Sequence, residues 1–113
     1  MRLQEIVKEL DAAVLYAPEG WEERTVASVI ASDLISDILV GEGEEQLLLT
    51  SLTSIQMVRT SDLIGAVAIM LVHRRQVPPG LEDAARNLDI PLFRSAIAKY
   101  DACVRVGRLE ETP

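Results

Sequence analysis

Apolar side chains recur along this chain in two alternating rhythms, and each change of rhythm marks an element boundary. Leu3, Ile6, Val7 and Leu10 fall at i, i+3, i+4 and i+7, the single stripe of a short helix. Ala13 to Ala17 then reads as a strand, stopped by the turn residues Pro18-Glu19-Gly20. Thr25 to Ala31 is rich in β-branched side chains, which predicts a second strand. Asp33 or Ser32 can cap a helix over Leu34 to Val40, which Gly41-Glu42-Gly43 ends.

Gln46 to Thr50 is a compact apolar strand. Thr53 stands three residues before Gln56, the spacing of a capping box, and predicts a helix from Ser54 to Ser61 with Gly65 in the turn behind it. Ala66 to Val72 has no polar interruption, as expected of a central strand buried on both faces. Pro78-Pro79-Gly80 opens a helix whose Leu81, Ala84, Ala85 and Leu88 keep helical spacing. Ile90 to Phe93 is a short strand, and Pro91 suits an edge or a first-residue position. Ser95 can cap a last helix bearing Ile97, Tyr100 and Val104, after which Glu110 to Pro113 reads as a frayed tail. Strands alternating with helices from Gln46 onward predict βαβ units. The expected fold class is therefore α/β, with a mainly parallel sheet flanked by helices. It forms one compact domain over residues 1–109, with no internal repeat and no linker.

Charge narrows the partners. Lys and Arg total 11 against 18 Asp and Glu, a net charge of −7. Nucleic-acid binding draws its non-specific affinity from cations that neutralise phosphates, so an anionic chain makes a poor nucleic-acid or membrane-surface binder. One Cys and one His provide neither an intrachain disulfide nor a four-ligand zinc site. The N-terminal segment carries Arg2, Glu5, Lys8 and Glu9 and does not read as a signal peptide. The longest strongly apolar stretch, Ala66 to Val72, falls far short of the roughly 20 residues of a membrane span. A small, soluble, cytoplasmic domain is the expectation.

Candidate chemistry gathers at strand ends. Thr50, Ser51, Thr53 and Ser54 lie where a predicted strand gives way to a helix. Open α/β sheets bind ligands at strand carboxyl ends, and a helix N-terminus offers unpaired N–H groups to an anion. Capping and turn formation are the plainer use of the same hydroxyls. The glycines and lysine of a phosphate-binding P-loop are missing. His73-Arg74-Arg75 follows the next strand directly. If the two strands are neighbours, Arg74 or Arg75 faces an anion held at Ser51 and Thr53; otherwise these charges keep the strand end soluble. Asp33 and Asp37, four apart, share a helix face; either they cap and flank the helix start or they help hold Mg²⁺. No metal site is expected from them. Cys103 reads as a small buried hydrophobe. No nucleophile, base and orienting group stand together, and no cofactor is implied, so the chain does not read as an enzyme.

Gly20 to Arg94 resembles a DRTGG domain, a family named for a five-residue motif after its first strand. The matching residues are Glu23-Arg24-Thr25-Val26-Ala27. Arg24 and Thr25 agree with the motif, Glu23 stands in for aspartate, and both glycines are replaced. Ser32-Asp33-Leu34-Ile35-Ser36-Asp37 is similar to the serine- and aspartate-bearing segment that follows the family's second strand. A strand ending in Thr50, a helix, the apolar Ala66 to Val72, the helix from Gly80 and Ile90-Pro91-Leu92 complete the order. The resemblance implies a fold like the N-terminal domain of HPr kinase/phosphorylase, without its kinase domain. Related domains sit inside phosphotransacetylases and beside CBS domains, and stand-alone members are encoded near iron-hydrogenase and histidine-kinase-like genes in anaerobes. That company implies a regulatory or ligand-sensing module, or an assembly domain, rather than a catalyst. The leading expectation is a non-catalytic regulatory or protein-interaction domain with a metabolic or redox protein partner. A homodimer is expected because a small domain buries a limited fraction of its surface and gains from association. The alternative is a sensor holding an anionic metabolite or nucleotide at Thr50 to Ser54, with Arg24 or Arg74. The candidate ligand residues are therefore Arg24, Thr25, Asp33, Thr50, Ser51, Thr53, Ser54 and Arg74.

Overall fold

The uninterrupted apolar run in the middle of the chain becomes the centre of a sheet. A computed structural model describes residues 1–111. In chain order its elements are α1 (Leu3–Glu9), β1 (Ala13–Tyr16), β2 (Ser28–Ala31), α2 (Ile35–Leu39), β3 (Gln46–Thr50), α3 (Ile55–Leu63), β4 (Ala68–Leu71), α4 (Leu81–Asn87), β5 (Leu92–Arg94) and α5 (Lys99–Glu111). A single 3₁₀ turn, Trp21–Glu23, joins β1 to β2. The sheet order is β1-β5-β4-β3-β2. Strands β2 to β5 run parallel, and β1 closes the far side antiparallel to β5.

Three successive crossovers, through α2, α3 and α4, step across the sheet in one direction. A right-handed crossover has one choice of face, so all three helices land on the same side. There Ile38, Met57, Val58, Leu81 and Ala85 pack on Leu48, Ile69, Leu71 and Leu92. Helices α1 and α5 lie outside that run and cover the other face. Their Leu3, Ile6, Leu10, Ala102 and Val106 pack on Leu47, Leu49, Met70 and Phe93. Strands β3 and β4 are buried along their whole length, as a sheet covered on both sides requires. This is the single α/β domain with a mainly parallel sheet that the hydrophobic pattern predicts.

Several boundaries differ from expectation for local reasons. Thr25 is not in β2: it makes an isolated antiparallel bridge with Arg2, while Leu3 N donates to Arg24 O at 2.8 Å. The N-terminal segment thus takes the pairing that would have begun the strand. Ser54, not Thr53, caps α3, its Oγ accepting from Met57 N at 3.1 Å. The helix runs on to Leu63. Behind it Gly65 (φ +70°) turns the chain, with Gly65 N donating to Asp62 O and Ala66 N to Ser61 O, a Schellman ending. Asp11 (φ +48°) and Asp89 (φ +55°) end α1 and α4 the same way. Pro91 is not on an edge strand, since β5 pairs on both sides; it sits just before the first strand residue, where a missing N–H costs no ladder bond. Ser95 does not cap α5, which begins at Lys99; its buried Oγ donates instead to Leu10 O at 2.6 Å. Glu110 and Glu111, expected in a loose tail, are helical, and Thr112 and Pro113 lie outside the described residues. No helix among the described residues is long and apolar enough to cross a membrane.

Candidate functional site

Because β2 to β5 are parallel, their carboxyl ends open on one edge of the sheet. Asp33 follows β2, Thr50 and Ser51 close β3, His73 and Arg74 follow β4, and Lys99 opens α5 after the four-residue loop 95–98 that follows β5. The hinge of this group is the Asp33 carboxylate. Its Oδ1 accepts from Thr50 Oγ1 at 2.8 Å and from the Ser51 backbone N–H at 2.7 Å. Its Oδ2 accepts from Ser51 Oγ at 2.6 Å and pairs with the Lys99 ammonium. Lys99 Nζ also reaches Ser51 Oγ at 3.2 Å.

Arg74 completes the edge from β4. Its Nε and Nη2 both donate to the Ser51 carbonyl, at 3.0 and 2.7 Å. His73 holds a left-handed backbone (φ +57°), a conformation uncommon for most side chains but adopted more readily by His, Asn and Asp. It is secured by His73 N donating to Ile97 O at 2.8 Å and Arg74 N to Ser95 O at 3.0 Å. Ser51, His73, Arg74 and Lys99 together line a shallow depression of about 240 Å³, open to solvent. Two cations, Arg74 and Lys99, thus line the depression, the second of them paired with the Asp33 carboxylate, in a chain whose net charge is −7.

The sequence-predicted residues divide between the two ends of the sheet. Asp33, Thr50, Ser51 and Arg74 come together at the carboxyl edge. Ser54 is occupied as the α3 cap, and Thr53 lies beside it, half-buried. Arg24 and Thr25 do not join them. Arg24 Nη1 donates to Val67 O at 3.4 Å, at the amino end of β4. Strands rise about 3.3 Å per residue, so the body of the sheet separates Arg24 from Ser51. Thr25 lines a different hollow with Glu5 and Glu110, whose carboxylates repel an anion. Asp33 and Asp37 do not share a helix face, because α2 begins after Asp33. Among the described residues no three His, Cys, Asp or Glu side chains are grouped to hold a metal. Cys103 is half-buried against the α1/α5 side of the core.

Lys99 escaped sequence reasoning. The signal was present: a lysine in the first turn of a helix sits at the positive end of the helix dipole, where acids are favoured. A cation there calls for a carboxylate from elsewhere in the fold, and Asp33 is that partner. Chemically, the Asp33 carboxylate is engaged by Thr50, Ser51 and Lys99, and so acts as an anchor for the β3 terminus rather than as a base aimed at a substrate proton. The groups left over for a ligand are Arg74 Nη1 and the remaining Lys99 donor, with the His73 ring beside them.

No protein-family model matches the chain. No curated protein matches it either. Among solved structures, it is similar to the CBS and DRTGG domains of the regulatory region of Clostridium perfringens pyrophosphatase, crystallised in complex with the activator diadenosine tetraphosphate. The TM-score is 0.76 at 9% sequence identity, over 93% of this chain and 45% of that one. This chain therefore spans less than half the length of the structure it matches. At that identity the likeness establishes the fold, and it supports the DRTGG-like architecture expected from the sequence.

Proposed function

We propose that this chain is a non-catalytic regulatory domain that senses an anionic small molecule at the carboxyl ends of β3 and β4. The observation that carries the reading is the pairing of Arg74 and Lys99 around the depression beside Ser51, against a single carboxylate. A local excess of cations in an acidic chain concentrates anions at that spot. The fold neighbour adds weight, because that pyrophosphatase regulatory region was solved with a polyphosphate-bearing activator. The test is the thermal midpoint of the protein against nucleotides and phosphorylated metabolites. A ligand at 100 times its Kd stabilises the folded state by about 2.7 kcal/mol. A shift of several degrees, lost in Arg74→Ala, supports the reading; a flat panel overturns it.

A second reading is favoured by a separate observation on the α2/α3 face. Leu34, Leu39 and Val40 around α2 and Leu63 at the end of α3 are exposed, Val40 at 74% and Leu63 at 76%. Apolar side chains gathered this way mark interaction surfaces in soluble domains. On this reading the chain is a protein-interaction domain whose α2/α3 face is covered by a second copy. Sedimentation of wild type and Leu63→Glu tests it: a dimer that the substitution dissociates supports it, and a monomer at high concentration overturns it.

A further inference from the structure

The Asp33–Lys99 ion pair joins the two faces of the domain. Asp33 leads into α2, which packs on one side of the sheet, whereas Lys99 is the first residue of α5, which packs on the other. We infer that the anion taken at this edge is a phosphomonoester dianion, and that binding it draws Lys99 away from Asp33 and so loosens α2. This inference rests on the anion-sensing reading above and specifies its ligand class and its output.

The ligand class follows from what Lys99 already has. Its ammonium is paired with a carboxylate, so another carboxylate offers it nothing better. A phosphate dianion carries more charge and presents three oxygens to the donors around the depression. Arg74 spends Nε and Nη2 on the Ser51 carbonyl, which leaves Nη1 for a ligand, and a guanidinium suits phosphate. The His73 ring lines the same hollow. The hollow is open to solvent, so a sugar attached to the phosphate has room to extend beside it.

The output follows from how the pair is held. Lys99 and Asp33 are partly exposed, at 40% and 34% of their side-chain surface, so separating them strands no buried charge. The dianion then lies across from a carboxylate that has lost its cation, and the like charges repel. Asp33 cannot relax without moving the loop into α2. That helix has five residues, with Ile38 alone fully buried, and Leu34 at its entry has no side-chain cap. An element with so little packing opens first when its entry is disturbed.

The experiment is hydrogen exchange at residues 34–40, with binding followed in parallel. The probes are adenosine 5′-monophosphate, inorganic phosphate, adenosine and acetate. Adenosine 5′-monophosphate and phosphate are expected to bind and to speed exchange across α2, whereas adenosine and acetate change nothing. Asp33→Asn keeps an acceptor oxygen for Thr50 and Ser51 but frees Lys99. It is expected to bind adenosine 5′-monophosphate about threefold to fivefold more tightly, with no further rise in α2 exchange, since ligand and carboxylate no longer compete. Binding without faster α2 exchange in the wild type, or weaker binding by Asp33→Asn, overturns the release while leaving anion sensing intact. No binding of either phosphate probe overturns both. The wild-type comparison of adenosine 5′-monophosphate with acetate needs no variant, so the inference stays testable even where Asp33→Asn folds poorly.

Discussion

Arg74 grips the Ser51 carbonyl with two nitrogens of its guanidinium, Nε at 3.0 Å and Nη2 at 2.7 Å. Ser51 is the first residue beyond β3 and Arg74 lies just beyond β4, so one side chain ties together the ends of the two most buried strands. The grip also fixes the guanidinium, and Arg74 lines the depression shared with Lys99. Arg74→Ala is expected to cost about 1 kcal/mol, as for an exposed pair of hydrogen bonds with one charged partner, and to abolish stabilisation by phosphate-bearing ligands. Arg74→Lys keeps the charge but not the fork, and should recover little of either. Thermal melts of the three proteins with and without ligand check both halves.

Asp33→Ala tests whether the carboxylate is structural. Thr50 Oγ1 is fully buried and donates to Asp33 Oδ1, and the Ser51 N–H donates to the same oxygen. Removing the acceptor leaves these donors to find new partners, at about 1–3 kcal/mol for a buried group. A midpoint lower by roughly 4–12 °C is expected at about 4 °C per kcal/mol. Asp33→Asn should lose much less, because its amide oxygen still accepts. Equal losses in the two variants would mean that the charge, not the acceptor, does the holding.

The fold was legible because burial on both faces writes itself into sequence. Ala66 to Val72 admits no polar residue, and it supplies the central strand β4. The strand-helix alternation from Gln46 onward then leaves one handedness for the crossovers. What escaped was set by distant partners. Thr25 has a strand-former's side chain, yet Arg2, 23 positions earlier, takes its backbone pairing. Arg24 and Arg74 look equivalent as free cations, and only the parallel register puts them at opposite ends of the sheet. Ser51 and Arg74 were readable as strand-end groups, whereas Lys99 needed the knowledge that α5 returns to the carboxyl edge. Asp33 was visible as a helix cap and as a candidate ligand residue; its hold on Thr50 and Ser51 is a tertiary fact.

Away from the edge, Tyr16 offers a pH-dependent signature. Its hydroxyl donates to the Asp89 carboxylate, and this bond, with smaller contributions from burial and from the Asp89 charge, lifts the phenol above its ordinary value of 10.0. Arg86, 5.1 Å from the ring centre, pulls weakly the other way. A folded value above the unfolded one means that the bond's contribution is fully present below the unfolded value and is lost as pH rises through the folded one. Phenolate absorbance in a Tyr100→Phe background isolates Tyr16, since the chain has two tyrosines. Asp89→Asn should move that titration downward, and the left-handed backbone at this position tolerates asparagine. An unmoved titration would show that the bond does not form in solution.

The helix endings make the final test, because the same motif carries glycine once and aspartate twice. Gly65 at φ +70° has open space where a Cβ would go, so Gly65→Ala meets no clash and pays only for the left-handed backbone. About 1 kcal/mol of lost stability is expected. Asp11 occupies the equivalent turn after α1 at φ +48°, and its carboxylate lies at the negative end of that helix. Replacing it by glycine removes both the backbone strain and the unfavourable charge, so Asp11→Gly is expected to stabilise by about 0.5–1 kcal/mol. Asp11→Val, branched at Cβ and forced into the same turn, should destabilise by about 1–2 kcal/mol. Chemical denaturation of the four proteins ranks them: Asp11→Gly above wild type, wild type above Gly65→Ala, and Asp11→Val at or below the last. If Asp11→Gly falls below wild type, the aspartate is making a contribution to the folded state that outweighs its backbone.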